Sequence, residues 1–179
     1  IYAHDILKVG PQGLSLLASA PAAGASVVAL FFSFRPIKTN VGPKMLGAVL
    51  VYGTATVVFG LSQIMALSLI ALAVAGAADM FSVYIRQSLI TLHTPDDKRG
   101  RVGAVSQLTI SASNELGEAE SGFLASALGP VGAVLVGGGG AIVVTILWTY
   151  LFPSIRNAKT FDPPKSPQDS RDLELEATP

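Results

Sequence analysis

Cysteine is absent from this chain, which excludes a disulfide framework and thiolate metal sites. Histidine is nearly absent: His4 and His93 are too few for a histidine-built metal centre. Charge is scarce as well. Charged residues are 13% of the 179, against about 25% in a soluble domain, and 50% are hydrophobic. Too little polar surface remains to coat a water-facing globule. Net charge is zero, so no nucleic-acid surface is indicated. No basic segment followed by a short apolar core marks a secretory signal. The opening residues 1–11 are mixed and polar, and read as an extracytoplasmic loop cut from a larger upstream context.

What the chain has is long apolar runs. A membrane helix needs about 20 mostly apolar residues to cross roughly 30 Å of hydrocarbon. Five stretches meet or approach that length: 12–34, 44–61, 64–92, 102–128 and 131–152. The links Ser62-Gln63 and Gly129-Pro130 are tight. Period-2 alternation is missing, and only helices or closed barrels satisfy every backbone group in lipid. The expectation is an all-α integral membrane protein with a five-helix bundle over 12–152. The segment 153–179, rich in Pro, Asp, Glu, Lys and Ser, reads as a disordered cytoplasmic tail.

Basic residues fall in alternate links. Arg35, Lys38 and Lys44 follow the first run, Lys98, Arg99 and Arg101 the third, Arg156 and Lys159 the fifth. With five alternating helices all three clusters share one side, which the positive-inside rule makes cytoplasmic. Trp148, Tyr150 and Phe152, and likewise Phe31, Phe32 and Phe34, stand where aromatic belts are expected. That topology puts Ile1 outside the cytoplasm, so an odd number of helices should precede it.

Ionisable residues inside the apolar runs are the sharpest signal, since each costs about 2.5–3.5 kcal/mol at a helix centre. The third run holds Asp79 and Arg86; the fourth holds Glu115, Glu118 and Glu120. The second and fifth hold none between their ends. Asp79 and Glu115 lie equally far from Asp97, hence at similar depth. Arg86 is two turns from Asp79 on the same face, with Ser82 between. Gln107, Ser111, Asn114, Glu118 and Ser121 form a continuous polar stripe, with Glu115 beside it. Such a stripe should face a water-filled cavity or a polar neighbour. Desolvated carboxylates exchange protons nearer neutral pH. The functional reading is therefore a substrate and proton pathway; the structural alternative is an ion pair of Arg86 with a glutamate that fixes packing.

The glycine run 137–140 lacks the Lys-Ser or Lys-Thr of a phosphate loop and reads as helix packing. Ala18, Ala22 and Ser26 make a similar small face on the first helix, which Pro21 kinks. Thr94-Pro95-Asp96-Asp97 reads as a capped helix start, with a break at Gly100. No nucleophile–base pair, metal cluster or cofactor loop supports an enzyme.

Thr94-Pro95-Asp96-Asp97-Lys98-Arg99-Gly100-Arg101-Val102, with Ser113-Asn114-Glu115-Leu116-Gly117-Glu118 and Glu120-Ser121-Gly122 downstream, resembles the major facilitator superfamily. The likeness is to its branch of enterobactin exporters and macrolide efflux proteins. Arg35, Pro36, Gly42 and Lys44 look like a degenerate copy of its basic loop motif. The resemblance implies that the five helices are helices eight to twelve of a twelve-helix fold, that eight, ten and eleven line the cavity, and that nine and twelve stand outside. It implies a proton-coupled exporter of small organic molecules in a bacterial inner membrane, with its C-terminus cytoplasmic. Asp79, Arg86, Asn114, Glu115 and Glu118 would be proton-coupling or cavity groups. Arg35, Lys44, Arg99 and Arg101 would form the cytoplasmic gating face. The partners implied are the lipid bilayer, the transporter's N-terminal half and a small-molecule substrate, with no nucleic acid and no cofactor. The alternative is a non-transporting scaffold subunit or truncated remnant.

Overall fold

The computed structural model describes residues 10–35, 37, 39–153 and 161. The expected opening loop and C-terminal tail lie almost wholly outside the described residues, as do Lys38, Arg156 and Lys159. The described residues form four helices: α1 (Pro11–Phe34), α2 (Val41–Leu61), α3 (Met65–Leu92) and α4 (Arg99–Leu151). All four are long and apolar enough to cross a membrane. The shortest, α2, has 21 residues, about 32 Å at 1.5 Å per residue and so sufficient for a ~30 Å core.

The count of four, where five were expected, comes from the joint at Gly129-Pro130. Helix α4 has 53 residues, and Gly129 within it takes φ 76° and ψ 168°, which no helix contains. That backbone region is essentially open to glycine alone. Gly129 divides α4 into a first arm, 99–128, and a second arm, 130–151. Gly129→Ala should therefore lower stability by about 1–3 kcal/mol, read as a reduced melting temperature in detergent, although no neighbour lies within 4 Å of a Cβ built there.

Contacts fix the direction of each rod. Helix α3 packs against α1 and α2, and α2 packs against α4. Lys44 of α2 shares a cleft with Phe81 of α3, and Val58 shares one with Leu67, so α2 and α3 are antiparallel. Gly60 meets Val134 and Gly53 meets Gly138 and Ile142, so the second arm is antiparallel to α2. Ile90 lies by Val102, and Arg86 by Asn114, so the first arm is antiparallel to α3. The two arms consequently run in opposite directions. Arg35, Lys44, Arg99 and Arg101 fall at one end of the bundle.

Small residues set the close contacts. A Cβ on Gly24 would run into the Ala73 carbonyl, and one on Gly76 into the Pro21 carbonyl. Between α2 and the second arm, a Cβ on Gly53 would lie 2.9 Å from the Gly138 oxygen, and one on Gly138 3.0 Å from the Gly53 oxygen. Backbones this close gain dispersion contacts that larger side chains would forbid. The glycine run thus packs through Gly138 alone; Gly137, Gly139 and Gly140 meet nothing within 4 Å.

Three local expectations need correction. The face of α1 turned to α3 is Leu17, Ala20, Gly24 and Phe32, while Ala18, Ala22 and Ser26 are exposed. Glycine admits the nearer approach at Gly24, and Phe32 stacks on Phe81 and Tyr84 at 5.1 and 4.5 Å between centroids. Phe32 is therefore core, whereas Phe31 and Phe34 are exposed. Helix α4 begins at Arg99 and runs through Gly100. The Thr94 hydroxyl donates back to the Ile90 carbonyl, closing α3 instead of capping α4. At the other α3 end, buried Ser68 donates to Ser62 Oγ at 3.0 Å and pins the α2–α3 link.

Candidate functional site

The first arm of α4 buries no residue: the buried positions of α4, Gly138 and Thr145, both belong to the second arm. Leu108, Leu116 and Phe123 are 71–73% exposed. Between the first arm and α3 opens a cleft of about 400 Å³. Arg86 forms one wall; Ser106, Thr109, Ile110, Ser113 and Asn114 form the other.

Helix geometry explains this set. Positions 106, 109, 110 and 113 follow i, i+3, i+4, i+7 spacing and make one face. The polar stripe of Gln107, Ser111, Glu118 and Ser121 lies about a quarter turn away and is exposed, as is Glu115. Of the expected residues the cleft brings together Arg86 and Asn114. Glu115 and Glu118 lie outside its lining. Ser106, Thr109 and Ser113 were missed, although their heptad-like spacing was legible. The neighbouring stripe carries the amides and carboxylates, the stronger polar signal.

The chemistry of the cleft is donor-rich and positive. A guanidinium stays charged in any protein setting and offers five N–H donors in a planar fork. Asn114 adds an amide. The Thr109 hydroxyl already donates to the Val105 carbonyl at 2.9 Å, leaving its lone pairs to accept. No carboxylate lines the cleft. Asp79 stands at the middle of α3, exposed, two turns from Arg86 on the same face.

Partners within the chain do not neutralise these groups. Among the described residues the one ion pair is Arg99 Nη2 to Asp96 Oδ1, 2.8 Å, at the exposed α3–α4 link. Asp79, Arg86, Glu115 and Glu118 make no ion pair or hydrogen bond among the described residues. No Arg86–glutamate lock is formed among the described residues. Among the described residues no group of His, Asp or Glu is placed to hold a metal.

Long apolar helices with few charges inside them define a multi-pass membrane protein. The profile of the Major Facilitator Superfamily matches residues 1–178. The chain belongs to that family of membrane transporters. It is 29% identical over 156 residues to the enterobactin exporter EntS of Citrobacter koseri, an alignment covering 86% of this chain and 36% of that protein. The chain therefore spans about a third of the length of this relative. No solved structure matches.

Proposed function

We propose that the chain supplies helices eight to twelve of a twelve-helix exporter of small organic molecules, driven by proton antiport across a bacterial inner membrane. The two arms of α4 then count as helices eleven and twelve, and the basic end faces the cytoplasm, as its positive charge favours. The observation carrying this reading is the set of mid-helix charges, Asp79, Arg86, Glu115 and Glu118, exposed and unpartnered among the described residues. Against lipid each would cost about 2.5–3.5 kcal/mol. A water-filled path shared with the other half of the transporter removes that cost. Such a path is what alternating access about a midplane site requires.

Roles follow from chemistry. Arg86 and Asn114 bind an acidic group of the substrate, bidentate pairing with a carboxylate being the strong geometry for a guanidinium. Asp79, Glu115 and Glu118 take up and release the coupling proton. Arg35, Lys44, Arg99 and Arg101 work at the cytoplasmic gate. EntS is an enterobactin exporter by name; for this chain the Arg86 guanidinium makes an acidic small molecule the substrate class to try first.

The test is flux from proteoliposomes holding the intact transporter, with a pH gradient imposed and benzoate or benzamide as probe. The expected result is gradient-driven movement of benzoate in excess of that in protein-free liposomes, and none of benzamide. Arg86→Gln should raise KM for benzoate about ten- to a hundredfold, the range of one lost charge-assisted bond, at unchanged protein abundance. Absence of pH-driven flux for both probes would return the chain to a scaffolding role.

A further inference from the structure

A second groove runs along the opposite side of α3 from the charges, and of its lining the transport reading uses only Lys44. Its first half, about 330 Å³, lies where α1, α2 and α3 meet, between Val28, Lys44, Val51, Val74 and Phe81. Its second half, about 370 Å³, continues between α2 and α3 to Val58 and Leu67. The two halves share Val51 on one wall and Val74 on the other, so they form one channel. From Lys44 to Val58 it follows α2 for fourteen residues, about 21 Å. That exceeds one leaflet of a ~30 Å hydrocarbon core, about 15 Å.

The lining between its ends is almost wholly apolar. Thr54 contributes its methyl group, because its hydroxyl donates to the Leu50 carbonyl at 2.8 Å. Charge enters at one end only, through the exposed Lys44, which pairs with no acid among the described residues. We infer that this groove is a binding site for one anionic phospholipid, its acyl chain along Val51 and Val74 and its phosphate on the Lys44 ammonium.

Helices α2 and α3 pack directly against each other, so the groove is a furrow over their seam, lined by alanine and valine side chains. An apolar furrow of this kind suits an acyl chain. The charge at the mouth matches a phosphate at the membrane surface, where a lysine attracts anionic lipid.

The experiment uses the intact transporter in nanodiscs of equal phosphatidylglycerol and phosphatidylcholine, released gently and weighed by native mass spectrometry. Wild type should retain one phosphatidylglycerol, about fivefold over phosphatidylcholine, the preference that one near-surface lysine provides. Lys44→Ala should abolish the preference. Ala78→Trp should displace both lipids by filling the groove, with helicity by circular dichroism confirming the fold; Val51→Phe repeats the test should the tryptophan variant fail to fold. Equal retention of both lipids by wild type, or an unchanged preference in Lys44→Ala, overturns the headgroup assignment. A stable dimer without bound lipid, lost in Val51→Phe, overturns the site in favour of a second copy of the chain. The readout is lipid mass, not flux, so failure here leaves the transport reading untouched.

Discussion

Asp79→Asn in the intact transporter is expected to abolish pH-driven efflux while leaving membrane abundance at or above wild type. Asp79 occupies the middle of α3, exposed on the face it shares with Arg86, with no partner among the described residues. Asparagine keeps the size and much of the polarity of the side chain but carries no exchangeable acid proton. Its removal of a mid-membrane charge lowers the insertion cost, so lost protein cannot account for lost flux. Substrate exchange without a pH gradient should survive, because the binding cleft is formed by Arg86 and first-arm residues. Efflux unchanged under a gradient removes Asp79 from the mechanism. Loss of both gradient-driven flux and exchange reassigns it to substrate binding.

The second large effect is expected at the α1–α3 crossing. Gly24→Val places branched carbons against the Ala73 carbonyl, and Gly76→Val does the same against Pro21. The obstacle in each case is backbone, which has no rotamer to yield. Overpacking of a well-packed contact costs about 1–3 kcal/mol and more when the backbone must move. Either variant should lose folded protein, seen as a collapsed monodisperse peak on size exclusion in detergent. Gly139→Val is the control: it lies in a helix too, yet a Cβ there meets nothing within 4 Å. A normal peak for Gly24→Val would mean that α1 and α3 cross at another place.

Much of the fold was legible because membrane helices declare themselves by length and composition. The runs at 12–34, 44–61 and 64–92 end within a few residues of α1, α2 and α3. Gly129-Pro130 was legible as a joint, since glycine reaches a backbone region closed to other residues. Packing faces were less legible. In α1 an alanine–serine stripe competed with Leu17, Ala20 and Gly24, and composition alone does not say which stripe a neighbour covers. Phe32 looked interfacial by position yet stacks inside on Tyr84. The site showed the same limit. Arg86 and Asn114 were singled out by polarity, but the rotation of the first arm about its axis decides which serines join them. That rotation depends on the α3–α4 link, where Thr94 closes one helix and Arg99 opens the next.

The break at Gly129 bears on how the chain enters the membrane during synthesis. The first arm carries three glutamates over residues 115–120 and would partition poorly by itself at about 2.5–3.5 kcal/mol for each central charge. The second arm has no charge from 130 to 151. Joined through Gly129 alone, the arms leave the translocon as one hairpin, the apolar limb carrying the acidic one across. Lengthening the joint with a hydrophilic spacer would uncouple them, and the acidic limb would be left stranded in water.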